Sequence, residues 1–100
     1  MPSIIKEVEV SLDQLNKKCV QIKKLISDVK LYFQLDARDE KVHTSAVKSI
    51  KNRVQRLDEF YQKYEGNLSR DIISYIDRST QRELRLLSTI EFLLLLQIKD

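Results

Sequence analysis

The sequence predicts an all-α protein, an antiparallel (up-down-up) bundle of three long helices with coiled-coil-like packing. The chain of 100 residues has one glycine and one proline, whereas the turns between strands depend on these residues. Apolar residues recur at alternating intervals of three and four, which is the heptad pattern of packed helices. With 42% hydrophobic and 33% charged residues, the composition suits a single helical-bundle domain over residues 1–100.

The first helix is predicted to begin near Ser3, a suitable N-cap, and to span about 30 residues. Its seam keeps the three-four spacing over four heptads. The seam residues are Ile5, Val8, Leu12, Leu15, Cys19, Ile22, Ile26, Val29 and Phe33. Other apolar residues flank the seam, and this wider apolar face favours a bundle over a two-stranded coiled coil.

The second helix is predicted to follow an acidic cluster that suits a helix N-terminus, in which Asp36 or Asp39 caps the helix. It should run to about Glu65. Its predicted seam is Val47, Ile50, Val54, Leu57, Tyr61 and Tyr64. Gly66 comes next, at a position where a left-handed C-cap is common.

The third helix is predicted to open near Asn67 or Ser69, and its course is ambiguous at the stretch Asp77 to Glu83, which has no apolar member. In one interpretation Thr80 begins a capping box and a fourth helix. In the other, a single helix over about 69–98 turns this stretch to water. The matching lengths of the first two helices favour three helices.

The most apolar stretch is Leu84 to Ile98, where ten of fifteen residues are Leu, Ile or Phe. In an up-down-up bundle it ends beside the end of the first helix. We therefore expect an apolar surface at one end of the bundle through which the protein self-associates, most simply as a dimer. The residues assigned to this surface are Leu31, Leu35, Phe92, Leu93, Leu95 and Leu96.

Two clusters of basic residues fall on the first two helices. Lys17 to Lys30 contains five lysines and one acid, and Lys48 to Arg56 contains four basic residues and no acid. A hairpin should bring the clusters side by side as a basic face for an anionic partner, either an acidic protein or nucleic acid. The residues assigned to this face are Lys17, Lys18, Lys24, Lys48, Lys51, Arg53 and Arg56.

No motif in the sequence predicts an enzyme, a metal site or a bound cofactor. Cys19 is the only cysteine and lies on the predicted seam, so we expect a buried thiol. His43 has no second histidine to form a metal site with. The longest apolar run, Phe92 to Leu96, is far shorter than the ~20 residues that span a bilayer, so no transmembrane segment is predicted. The first ten residues lack the apolar core of a signal peptide, and we expect an intracellular, most simply cytoplasmic, protein.

The sequence thus favours a non-enzymatic protein–protein interaction module of the adaptor, assembly-subunit or co-chaperone type, binding through the apolar surface and the basic face. The alternative is a nucleic-acid-binding protein that uses the basic face of the first two helices. The net charge of only +3 and the lack of a recognised nucleic-acid motif favour the first interpretation.

Overall fold

The computed structural model describes residues 2–98, with side chains from residue 7 onward. It contains α1 (Pro2–Phe33), α2 (Ala37–Lys63) and α3 (Arg70–Ile98), with a 3-10 turn at Glu65–Asn67. Helix α1 has 32 residues and therefore extends ~48 Å. The molecule measures 49 × 20 × 16 Å, so the helices run along its long axis. The prediction of a bundle of three long helices is confirmed. Among the described residues, no helix is both long and apolar enough to cross a membrane.

The helix directions follow from contacts at both ends of the rod. Tyr61 of α2 donates a hydrogen bond to Glu9 near the start of α1, and Glu40 of α2 pairs with Lys30 near the end of α1. Helices α1 and α2 are therefore antiparallel. The α3 residue Ile76 shares a cluster with the early part of α1, whereas Leu94 shares one with the later part. Helices α1 and α3 are therefore parallel, as an up-down-up bundle requires.

The predicted seams of α1 and α2 form the core. The buried seam residues are Val8, Leu12, Leu15, Cys19, Ile22, Ile26 and Val29 of α1 and Val47, Ile50, Val54, Leu57 and Tyr61 of α2. The prediction that Cys19 is buried is confirmed. Two seam residues depart from the pattern: Phe33, the last residue of α1, is 47% exposed, and Tyr64, which follows the end of α2, is half-buried. Helix α1 already includes Pro2, ahead of the predicted cap; the side chains of Ser3 and Ile5 lie outside the described residues.

The link between α1 and α2 corrects one prediction about the apolar end. Gln34 adopts the left-handed conformation, with φ 55°. The chain reverses there, and Leu35 is buried in the core beside α1 and α2. Asp36 then caps α2, accepting a hydrogen bond from the Arg38 backbone N–H at 2.8 Å. The assignment of Leu35 to an exposed self-association surface is therefore wrong.

The polar stretch of α3 corrects a second prediction. The helix runs through it unbroken, but the stretch does not simply face water, since Thr80 and Glu83 are buried. Both lie on the seam of α3, which is Ile76, Thr80, Glu83, Leu87, Ile90 and Leu94. The Thr80 hydroxyl donates to the Ile76 carbonyl at 2.7 Å, which satisfies it inside the core.

The link between α2 and α3 corrects a third prediction, which concerned a C-cap at Gly66. Helix α2 ends at Lys63, and Gly66 lies within the 3-10 turn without a positive φ, so it is not a left-handed cap. A Cβ built on Gly66 meets no atom within 4 Å. Ser69 does cap α3 as predicted, because its hydroxyl accepts a hydrogen bond from the Ile72 N–H at 3.3 Å.

Gly66→Ala is expected to stabilise the protein by about 0.4–1 kcal/mol, because Ala fits the native backbone and restricts the unfolded chain. Urea unfolding measures this as a higher midpoint with an unchanged slope. A lower midpoint would show that position 66 needs glycine after all.

Tyr61 provides a test of the core at high pH. Its hydroxyl is buried and donates to Glu9 Oε1 at 2.7 Å. Burial first, and then this hydrogen bond, raises the pKa of Tyr61 from 10.0 to about 12. The folded state thus disfavours the phenolate. The resulting stabilisation is complete below the ordinary pKa and is lost as pH rises through the raised one.

A titration of phenolate absorbance should therefore show a step near pH 12 in the wild-type protein that Tyr61→Phe removes. Tyr75→Phe, which changes an exposed ring, is the matched control and should leave that step in place. A wild-type titration without the late step would contradict the buried, hydrogen-bonded state of Tyr61.

Candidate functional site

The ends of α1 and α3 expose a cluster of large hydrophobic side chains that we call the apolar pole. Its members are Leu31, Tyr32, Phe33, Phe92, Leu93, Leu95, Leu96 and Ile98. They account for eight of the thirteen exposed large hydrophobic residues in the described part of the chain, so exposure is concentrated at this end. Leu31 is 71% and Phe92 61% exposed. All the residues assigned to this surface from the sequence lie here except Leu35.

Part of the pole forms one patch across α1 and α3. Lys18 of α1 contacts Glu91 of α3 at 2.7 Å, which marks the sides of the two helices that face each other. Leu95 and Ile98 lie one and two turns beyond Glu91 on that side, and Tyr32 lies about four turns beyond Lys18. Since α1 and α3 are parallel and end at Phe33 and Ile98, Tyr32 and Ile98 lie at the same end of the rod.

The predicted basic face is only partly free. Lys17 pairs with Asp13 at 2.9 Å, Lys18 with Glu91, and Arg53 with Glu83. The remaining four residues, Lys24, Lys48, Lys51 and Arg56, are exposed and form no ion pair within the described part of the chain.

The structure also divides the basic residues of α2 between two sides of the helix. Lys51 lies three turns after Glu40, on the side that contacts α1. Arg53 contacts Glu83 of α3, and Arg56 lies three residues after Arg53 on that side. The expectation of one basic face between α1 and α2 is therefore wrong for Arg53 and Arg56. Residues two positions apart on a helix point about 200° apart around its axis. The sequence prediction matched residues only by their height along the hairpin, so it missed this rotation.

The pair between Arg53 and Glu83 is the main polar contact between α2 and α3. It is bidentate, with Nε to Oε1 at 2.7 Å and a terminal guanidinium nitrogen to Oε2 at 2.9 Å. The Glu83 side chain is 6% exposed and the Arg53 side chain 43% exposed. The hydrogen bond to Glu83 raises the pKa of Arg53. Both carboxylate oxygens are thereby satisfied.

A groove of about 650 Å³ opens beside this pair, between α2 and α3. We call it the α2–α3 groove. Its apolar part consists of Leu57, Phe60, Ile72 and Tyr75, and its polar part of Arg53, Arg56, Asp71, Ser79, Arg82 and Glu83. The Phe60 and Tyr75 rings meet edge to face, with centroids 5.8 Å apart. Sequence analysis missed this groove. In the sequence, Tyr75, Ser79 and Arg82 share one side of α3 by their helical spacing.

The core thiol is not part of either surface. Burial raises the pKa of Cys19, an effect that nearby Lys51 partly offsets. The thiol thus stays protonated at neutral pH. The described residues contain no group of three or more His, Cys, Asp or Glu side chains placed to hold a metal ion.

Comparison with protein-family models, with curated proteins and with solved structures finds no match to this chain. The functional interpretation accordingly rests on the surfaces of the bundle themselves, the apolar pole and the α2–α3 groove.

The Arg53–Glu83 pair should respond asymmetrically to mutation. Arg53→Met leaves a buried carboxylate without a partner and should cost about 3–5 kcal/mol. Glu83→Leu leaves a half-exposed guanidinium that water solvates, so it should cost much less. Combining both substitutions should recover most of the loss caused by Arg53→Met.

Urea unfolding of the wild type, the two single variants and the double variant forms the double-mutant cycle that measures this. Equal losses in the two single variants would show that Glu83 reaches water and that the pair is a surface contact.

Proposed function

We propose that this protein is a non-enzymatic interaction module, an assembly subunit or adaptor, whose apolar pole joins two copies of the chain. One observation carries the proposal: most of the exposed large hydrophobic side chains gather at one end of a rod whose sides carry charge. Exposed apolar clusters of this kind mark interaction sites.

The size of the apolar pole fits a dimer contact. With ~200 Å² for each fully exposed large side chain, the exposed fractions of its residues amount to an area on the order of 800 Å². A standard protein–protein interface takes ~800 Å² from each partner. An end-on contact that buries every side of the pole would therefore take the area that one partner of a stable dimer contributes.

A second copy is the occupant that this surface favours. A two-fold contact buries each participating residue twice, and each buried side chain contributes about 1.5–3 kcal/mol. The charged residues just before the two apolar segments are also neutralised. Lys30, next to Leu31, pairs with Glu40 at 3.1 Å, and Glu91, next to Phe92, pairs with Lys18. Two poles thus approach without unpaired charges at these positions.

Light scattering at micromolar concentration should give about twice the 11.8 kDa of one chain. Leu95→Glu should return the protein to a monomer, because it places a charge in the contact. Its helical signal should stay nearly unchanged, and its thermal midpoint should fall only by the stabilisation that dimer formation supplies. Leu93→Glu or Leu96→Glu should act in the same way.

Val20→Glu is the matched control, since it introduces the same charge at an exposed apolar residue far from the pole. It should leave the dimer intact. A wild-type protein that is monomeric at these concentrations, or a dimer that Val20→Glu dissociates and Leu95→Glu does not, would overturn the proposal.

A further inference from the structure

Exposed apolar side chains also lie beyond the α2–α3 groove, on the helix sides that border it. Leu86 lies three turns after Tyr75, so the two residues share the side of α3 that borders α2. Both are exposed. Across the groove, Val42 lies five turns before Phe60 on the same side of α2 and is also exposed. Apolar side chains therefore lie on both helices next to the groove, as they do where a bundle receives a fourth helix.

The residues that line the groove carry more positive than negative charges. Arg53, Arg56 and Arg82 line it together with Asp71 and Glu83. The Arg53–Glu83 pair neutralises itself. Arg56 projects from α2 and Arg82 from α3, and within the described residues neither has an ion-pair partner. The two free guanidinium groups on opposite walls outweigh the one remaining carboxylate, Asp71. Above an aromatic and aliphatic floor, they favour a ligand that is apolar on one side and anionic at its edges.

The apolar floor and the two free arginines together distinguish among the possible occupants of the groove. A second copy docked groove to groove about a two-fold axis would bring Arg56 and Arg82 of both copies together, and like charges oppose such a contact. Nucleic acid would engage the two arginines but leave the apolar floor formed by Leu57, Phe60 and Tyr75 uncovered. A helix with apolar residues at i, i+3 and i+7 covers that floor, and flanking carboxylates reach the arginines.

We propose that the α2–α3 groove docks an acidic amphipathic helix of a partner protein, completing a four-helix arrangement. Apolar side chains of that helix pack on Phe60 and Tyr75, and its carboxylates pair with Arg56 and Arg82. This site is separate from the contact between two copies at the apolar pole, and the two are tested by different variants.

The probe is a synthetic helical peptide with leucines at i, i+3 and i+7 and glutamates beside them, carrying a fluorophore for anisotropy. The wild-type protein should bind it. The double variant Arg56→Glu/Arg82→Glu should weaken binding about 30-fold, since each reversal replaces an attractive contact with a repulsive one. Tyr75→Ala should weaken binding without changing the charge.

Lys17→Glu/Lys24→Glu is the control for net charge, because it makes the same change on exposed residues of α1 outside the groove. It should alter binding by less than about 2-fold, in line with the screening of distant surface charges. Leu95→Glu, which tests the dimer, should also leave peptide binding unchanged.

The proposal would be overturned if the wild-type protein did not bind the peptide at millimolar concentration, or if the groove variant and the charge control lost the same amount of affinity. It would also be overturned if a peptide with lysines in place of the glutamates bound as tightly as the acidic peptide. A fourth contrary result is an oligonucleotide that displaces the acidic peptide and binds more weakly to the groove variant. Circular dichroism and the thermal midpoint establish that each variant is folded, so that weaker binding reports on the groove itself.

Discussion

The burial of one carboxylate on α3 constrains how the whole bundle assembles. The seam of α1 is apolar throughout its described length and by itself accepts neighbours in several registers. Glu83 narrows this choice, because its carboxylate needs an arginine partner, and Arg53 and Arg56 are the arginines on the side of α2 that contacts α3. A shift of α3 by one heptad along α2 would place Glu83 opposite Ala46 or Phe60, and neither side chain carries a charge. The pair thus adds little to the stability that the apolar core provides, but it helps to select the position of α3 along α2.

The sequence predicted the parts of the fold that depend on one helix at a time. The spacing of apolar residues identified the buried side chains of α1 and α2, and short polar residues identified the caps at Asp36 and Ser69. These features are local, so a periodic pattern suffices to find them. The burial of Glu83 is different, because it depends on an arginine thirty residues away on another helix.

The errors in the predicted sites have similar causes. Leu35 was expected at the surface because its neighbours are apolar, but the left-handed Gln34 turns it inward, and glutamine gives no sequence signal for that conformation. Arg53 and Arg56 were grouped with the lysines of α1 because an antiparallel hairpin places them at the same height along the rod. Their azimuth around α2, which determines whether they face α1 or α3, depends on the bundle as a whole. The apolar pole was predictable because five consecutive apolar residues on a helix necessarily leave some facing outward.

The single thiol at Cys19 gives this bundle a built-in reporter of its own fluctuations. Cys19 is enclosed by the central cluster, near the middle of α1, and contacts with water require that the helices around it separate. A thiol reagent therefore reacts at a rate set by how often the centre of the rod opens. Because fraying of the helix ends leaves the thiol covered, the reaction distinguishes cooperative opening of the middle from motion at either end. One chemical group thus reports on opening of the central cluster without any engineered probe.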